Sequence, residues 1–274
     1  MSIRASREPS GAALTLHHLL SRNSLIVAAA LLVLALLAWA WLWLAPAGPA
    51  IGGMDGMDMD GMDMMAMPVQ PWSAPYLLMG FAMWAIMMVA MMLPSAAPMI
   101  LLHARIDRAE TEKARLLHSS LFLAAYLLVW AGFAAVAVLL QAALLHAELL
   151  SDSALALHDR TIAAGLLLLA ATYELTPAKG RCLENCRSPL IFVHRFWRPG
   201  AVGAFRLGLR HGLYCVGCCW ALMLLLFVGG VMNLAWVALL AILATVEKAL
   251  PPLWHVDRWM AAILLAGALL IALR

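Results

Sequence analysis

Residues 25–44 read LIVAAALLVLALLAWAWLWL, an apolar run of 20 residues that contains no charged side chain. A run of about 20 mostly apolar residues is long enough to cross a membrane as a helix. Comparable runs recur at Tyr76–Leu93, Ser119–Leu145, Thr161–Thr176, Leu213–Met232, Leu234–Leu250 and Val256–Leu273. They are rich in Leu and Ala and lack the two-residue alternation of barrel strands. The sequence therefore predicts an all-α, polytopic transmembrane helix bundle of seven helices, with six as the alternative.

The overall composition agrees with this prediction. Of the 274 residues, 65% are hydrophobic and 12% are charged, whereas soluble domains have roughly 45–50% apolar and about 25% charged residues. So few charges cannot cover the surface of one soluble domain. The composition excludes a soluble enzyme, a nucleic-acid-binding domain and a disordered chain, and it makes the lipid bilayer an expected partner.

The distribution of basic residues predicts the orientation, because cytoplasmic segments of membrane proteins are enriched in Lys and Arg. With the N-terminus cytoplasmic, 16 of the 18 basic residues lie inside, and only Arg160 and Arg274 lie outside. Residues 1–44 are then a cytoplasmic tail and first membrane anchor, and 45–75 an outer Met/Asp-rich flexible loop. Residues 76–274 are a helical membrane domain with an inner-side cysteine loop at 177–212.

The first apolar run also resembles a signal peptide, because Arg residues precede it and small residues follow it. Signal-peptide cores span about 7–15 residues, which is shorter than this run. The sequence favours an uncleaved anchor.

The predicted outer loop contains seven Met in residues 54–67, alternating with Asp and Gly. Thioether sulfur is a soft ligand that suits Cu(I), and the Asp carboxylates would concentrate cations. A low-complexity linker is the alternative. We expect capture of Cu(I) or Ag(I) here by the following residues: Met54, Met57, Met59, Met62 and Met64.

The second predicted span carries a methionine ladder, Met79, Met83, Met87 and Met91, at intervals of four residues. Residues at i and i+4 share one face of a helix. Met83, Met87 and Met91 could relay a soft ion, although such a stripe more often serves helix–helix packing. We expect the helix to end near Pro94, which lacks a backbone donor and frees a carbonyl one turn earlier.

All five cysteines lie between residues 182 and 219, on the predicted cytoplasmic side. That compartment is reducing, so free thiols are expected. Their CxxxC and CxxCC spacings suit Cu(I), with Zn(II) or an iron–sulfur centre as alternatives. Glu247 and Lys248 could form an interfacial ion pair, whereas Glu174 has no obvious partner. The predicted metal site comprises Cys182, Cys186, Cys215, Cys218, Cys219, His211 and Glu174.

Several separated motifs between residues 76 and 250 are shared with a known family. They are AMMLPS at 90–95, LTPAK at 175–179, CRSP at 186–189, GLRHGLYCVGCCW at 208–220 and EK at 247–248. Together they resemble a bacterial family of uncharacterised integral membrane proteins described as predicted metal-binding. The resemblance implies a metal role for the cysteine segments and a location in the bacterial inner membrane.

These features together predict soft-metal handling, foremost of Cu(I), by transport or by delivery to a metal chaperone. The alternatives are a membrane thiol or redox protein using the CxxxC and CxxCC motifs, and a non-catalytic subunit of a membrane complex. The chain carries no P-loop, P-type phosphorylation motif or hydrolase triad that we recognise. The sequence thus favours a protein that is not an enzyme.

Overall fold

The computed structural model describes residues 22–44, 70–151, 154–251 and 255–273. Within these ranges the chain is helical, and the extended pairing is limited to an isolated bridge between Leu150 and Leu157. The all-α prediction is confirmed. The helices are α1 (Arg22–Leu44), α2 (Ala74–Ile106), α3 (Glu112–His146), α4 (Arg160–Glu174), α5 (Pro177–Arg187), α6 (Pro189–Phe196), α7 (Gly200–Leu224), α8 (Leu226–Gly229), α9 (Leu234–Ala249) and α10 (Val256–Ala272).

Four helical segments among the described residues are long and apolar enough to cross a membrane: α1, α2, α3 and the α7–α8 rod. The α4–α5 pair makes a fifth if its 67° bend lies within one span. Helices α9 and α10 have 16 and 17 residues, or about 25 Å of helix, against a hydrocarbon core of about 30 Å. Seven spans therefore stay a prediction.

The predicted end of the second helix at Pro94 is wrong, because α2 continues through Pro94 and Pro98 to Ile106. Proline removes the hydrogen bond to the carbonyl four residues earlier, which for Pro94 is that of Ala90. The indole N–H of Trp39 on α1 donates to this carbonyl at 3.1 Å. A neighbouring helix thus supplies the donor that Pro94 lacks, as happens in membrane helices.

Helix α7 packs closely against α3 through two glycines one turn apart, Gly208 and Gly212. A side chain at Gly208 would meet the backbone of Phe122, and a Cβ at Gly212 would lie 2.9 Å from the Val129 side chain. Small residues four apart allow helix backbones to approach in this way. The close α3–α7 contact brings Tyr126 of α3 beside the cysteines of α7.

A short break between α4 and α5 separates two buried charged residues, Glu174 and Lys179. Thr176 caps α5, because its hydroxyl accepts from the backbone N–H of Lys179, and Pro177 follows at the first helical position, where its missing N–H costs nothing. The turn places Lys179 against Glu174 at the end of α4.

Candidate metal centre

Thiols from two helices and a thioether from a third lie together at the core, where Cys186 is half-buried and the other members are buried. The sulfur of Cys186 on α5 lies 4.0 Å from that of Cys218 on α7. The thiol of Cys219 lies 3.9 Å from the thioether of Met92 on α2. We call Cys186, Cys215, Cys218, Cys219 and Met92 the sulfur cluster.

Cys215 is a buried member of this cluster and lies one turn before Cys218 and Cys219 on α7. Its sulfur also lies 3.3 Å from the hydroxyl of Tyr126. The thiols of Cys218 and Cys219 both donate to the Cys215 carbonyl, at 3.1 and 3.0 Å. One turn of α7 therefore presents three buried thiols, as the helical reading of CxxCC predicts.

A lysine contacts the sulfur cluster. The ammonium nitrogen of Lys248 on α9 lies 3.1 Å from the sulfur of Cys215, 3.6 Å from that of Met92 and 3.1 Å from the hydroxyl oxygen of Ser95. No local pattern in the sequence places Lys248 among sulfur atoms or Met92 beside the cysteines. Both residues contact the cysteines from other helices.

Cys182 occupies the edge of this region. It is half-buried, and its sulfur lies so close to α7 that a Cβ at Gly217 would be 2.8 Å from it. The hydroxyl of Tyr173 donates to the carbonyl of the same glycine. All five cysteines are free, as the expected reducing compartment requires.

His211, a predicted ligand, is buried among aromatic rings. It stacks on Tyr126 with ring centroids 5.5 Å apart, and it lies 5.7 Å from the ring of Phe192. Neither of its ring nitrogens has a hydrogen-bond partner in the described structure. His103, on α2, is likewise buried between rings and lies 5.2 Å from that of Phe122.

Glu174 does have a partner, although the sequence did not reveal one. The buried ammonium of Lys179 contacts the Glu174 carboxylate and also lies 2.6 Å from that of Glu247. We call these three residues the ionic cluster. Glu247 thus faces Lys179 and Lys248 faces the sulfur atoms, so the suggested pairing of these two neighbours on α9 is wrong. Their side chains reach two separate buried sites.

Among the described residues, no group of three or more His, Cys, Asp or Glu side chains is arranged to hold a metal ion. Sulfur atoms lie in contact between Cys186 and Cys218 and between Cys219 and Met92. The ladder residues Met83, Met87 and Met91 are buried, which is expected of packing and of a relay alike. The Met–Asp tract at 54–67, with its five predicted ligands, lies outside the described residues.

The sulfur cluster lies among long helices, and four of the described helical segments are apolar enough to cross a membrane. Residues 81–271 match the sequence profile of the PpoB2 family, described as copper chaperone. The match covers more than half of the chain, so the protein belongs to this family, and the predicted role in copper handling is supported in general terms. No characterised protein and no solved structure matched the chain.

Proposed function

We propose that this protein binds Cu(I) at the sulfur cluster within the bacterial inner membrane and passes it on, by transport or by delivery to a partner chaperone. Membership of a copper chaperone family supports copper as the cargo. The observation that carries the proposal is that α2, α5 and α7 contribute soft sulfur atoms to one buried place. Thiolate and thioether ligands favour Cu(I) over harder ions.

The spacing of the thiols suits a soft ion. The sulfurs of Cys186 and Cys218 are 4.0 Å apart, so an ion with metal–thiolate bonds of about 2.3 Å can reach both. Cys215 and Cys219 border the same space, and Met92 supplies a neutral thioether. A structural zinc site takes four ligands in a tetrahedron, and among the described residues no three or more Cys, His, Asp or Glu side chains are arranged as such a ligand set.

We further propose that the Met–Asp tract at 54–67 captures the ion on the outer side. With the N-terminus cytoplasmic, α2 runs inward, and its buried methionines Met83, Met87 and Met91 descend toward Met92. A path of weak thioether ligands requires no charged group in the bilayer. The contact of Met92 with Cys219 links the inner end of this row to the cysteines and supports this path.

The decisive experiment measures Cu(I) affinity of the detergent-purified full chain by competition with a chromophoric chelator, under anaerobic reducing conditions. We expect the double variant Cys186→Ser/Cys218→Ser to lose affinity at least tenfold. Cys182→Ser is the matched control, because this thiol lies at the edge of the site, and it should lose much less. If the wild type binds no Cu(I), or if the double variant binds as the wild type does, the proposal is wrong.

A further inference from the structure

Lys248 is the cation in contact with the sulfur cluster, and it is almost fully buried, with 8% of its surface exposed. A charged side chain inside a membrane domain is costly and normally faces a partner. The carboxylate beside it in sequence, that of Glu247, lies 2.6 Å from Lys179 instead. The contacts of the Lys248 ammonium are with the thiol of Cys215, the thioether of Met92 and the hydroxyl of Ser95.

We propose that Lys248 is a specificity-determining residue that makes the sulfur cluster selective for a monovalent soft cation over a divalent one. The inference rests on the proposed Cu(I) site. Soft sulfur ligands account for a preference for copper, zinc and related metals. The inference adds a preference for one ionic charge over another among these metals.

The argument is one of charge balance. Thiols lose their protons when they bind a metal, so two thiolates and Cu(I) form a complex of charge −1 that the Lys248 ammonium neutralises. Two thiolates and Zn(II) form a neutral complex, and the buried ammonium is left without a counter-charge. Repulsion between Lys248 and the bound ion also doubles when the charge of the ion doubles.

The Glu174–Lys179–Glu247 cluster does not replace this role of Lys248. Both of its carboxylates contact Lys179, while the Lys248 ammonium contacts the thiol of Cys215, the thioether of Met92 and the hydroxyl of Ser95. The Lys248 ammonium is therefore a positive charge in direct contact with sulfur atoms of the cluster.

The test compares Cu(I) and Zn(II) affinities of the full chain in detergent, each measured by chelator competition. Lys248→Met removes the charge and keeps an apolar side chain of similar length, and Lys248→Gln serves the same purpose if the Met variant is not recovered folded. Lys248→Arg and Ser95→Ala are the control variants, because both retain a cation at position 248. We expect the ratio of Zn(II) to Cu(I) affinity to rise roughly tenfold or more in Lys248→Met, since close charges interact strongly in a buried site.

The two retained-charge variants should keep the ratio of the wild type within about twofold. An unchanged ratio in Lys248→Met, with Cu(I) binding intact in the wild type, overturns the selectivity inference and leaves the proposed function standing. A wild type that binds no Cu(I) overturns the proposed function itself. A rise of the same size in Lys248→Arg also contradicts the inference, because it would trace the effect to shape and not to charge.

Discussion

The indole N–H of Trp39 donates to the backbone carbonyl of Ala90 across the α1–α2 interface, at 3.1 Å. This carbonyl lies four residues before Pro94, so it has no donor within its own helix. A carbonyl without a donor costs several kcal/mol in the hydrocarbon region. The contact explains how α2 passes through Pro94, and it makes α1 a structural part of the bundle.

Replacing Trp39 with Phe should therefore destabilise the protein, because an aromatic ring remains but the indole N–H donor is lost. We expect the free energy of unfolding to fall by about 1–2 kcal/mol, measured by denaturant unfolding in mixed micelles. Trp43→Phe is the control, since Trp43 is 76% exposed on the same helix. Equal effects of the two substitutions would show that the indole N–H of Trp39 does not stabilise α2.

The ionic cluster leads to a second prediction. Lys179→Met leaves the buried carboxylates of Glu174 and Glu247 without the ammonium that they share. Breaking a buried ion pair by removing one partner costs about 3–5 kcal/mol, so this variant should be poorly recovered or unfold at much lower denaturant concentration. Glu174→Gln keeps the Lys179–Glu247 pair and should cost less.

Arg181→Met is the control for this series, because Arg181 is an exposed basic residue on the same helix. Its loss should leave the unfolding midpoint close to that of the wild type. A Lys179→Met protein as stable as the Arg181→Met protein would show that the ionic cluster does not hold α4, α5 and α9 together.

The sequence predicted the helices well, because long apolar runs identify buried helical segments without any knowledge of their neighbours. It failed where a residue's partner lies far along the chain. The end predicted at Pro94 was wrong because the compensating donor, Trp39, belongs to another helix. The Lys179 partner of Glu174 is only five residues away, but it lies beyond the break after α4, and its second partner, Glu247, comes from α9.

At the candidate site, too, local spacing was predictable from the sequence and long-range contacts were not. The CxxxC and CxxCC spacings singled out thiols that the fold does bring together, since Cys186 and Cys218 meet across α5 and α7. Met92 and Lys248 reach these thiols from α2 and α9. No local pattern marks such contacts, because they depend on how the helices pack and rotate against one another.

The third prediction concerns the α3–α7 interface. A Cβ at Gly208 would lie closer than 3.0 Å to the Phe122 backbone, which cannot move as a flexible side chain can. Gly208→Ala should therefore push α7 away from α3 and cost about 2–3 kcal/mol. Gly165→Ala, in α4, meets no atom within 4 Å and should stabilise its helix by up to about 1 kcal/mol. Unfolding midpoints in micelles measure both, and a harmless Gly208→Ala would contradict the close contact.

The last prediction separates the ligand role of methionine from its packing role. Met92 and Met88 lie one turn apart on α2, and both are fully buried, but the thioether of Met92 lies 3.9 Å from the thiol of Cys219. Replacing Met with Leu conserves volume and costs less than about 1.5 kcal/mol, so either variant should fold. Only Met92→Leu removes a soft sulfur atom from the cluster.

We expect Met92→Leu to weaken Cu(I) binding roughly fivefold to tenfold, because a soft thioether ligand is lost, and Met88→Leu to leave it unchanged. Chelator competition gives the affinity, and unfolding in micelles confirms that the two variants are equally stable. Equal loss in both variants would mean that methionine packing on α2 supports the site from a distance. Loss confined to Met92→Leu makes its thioether part of the metal site, because the two substitutions differ only in their distance from the thiols.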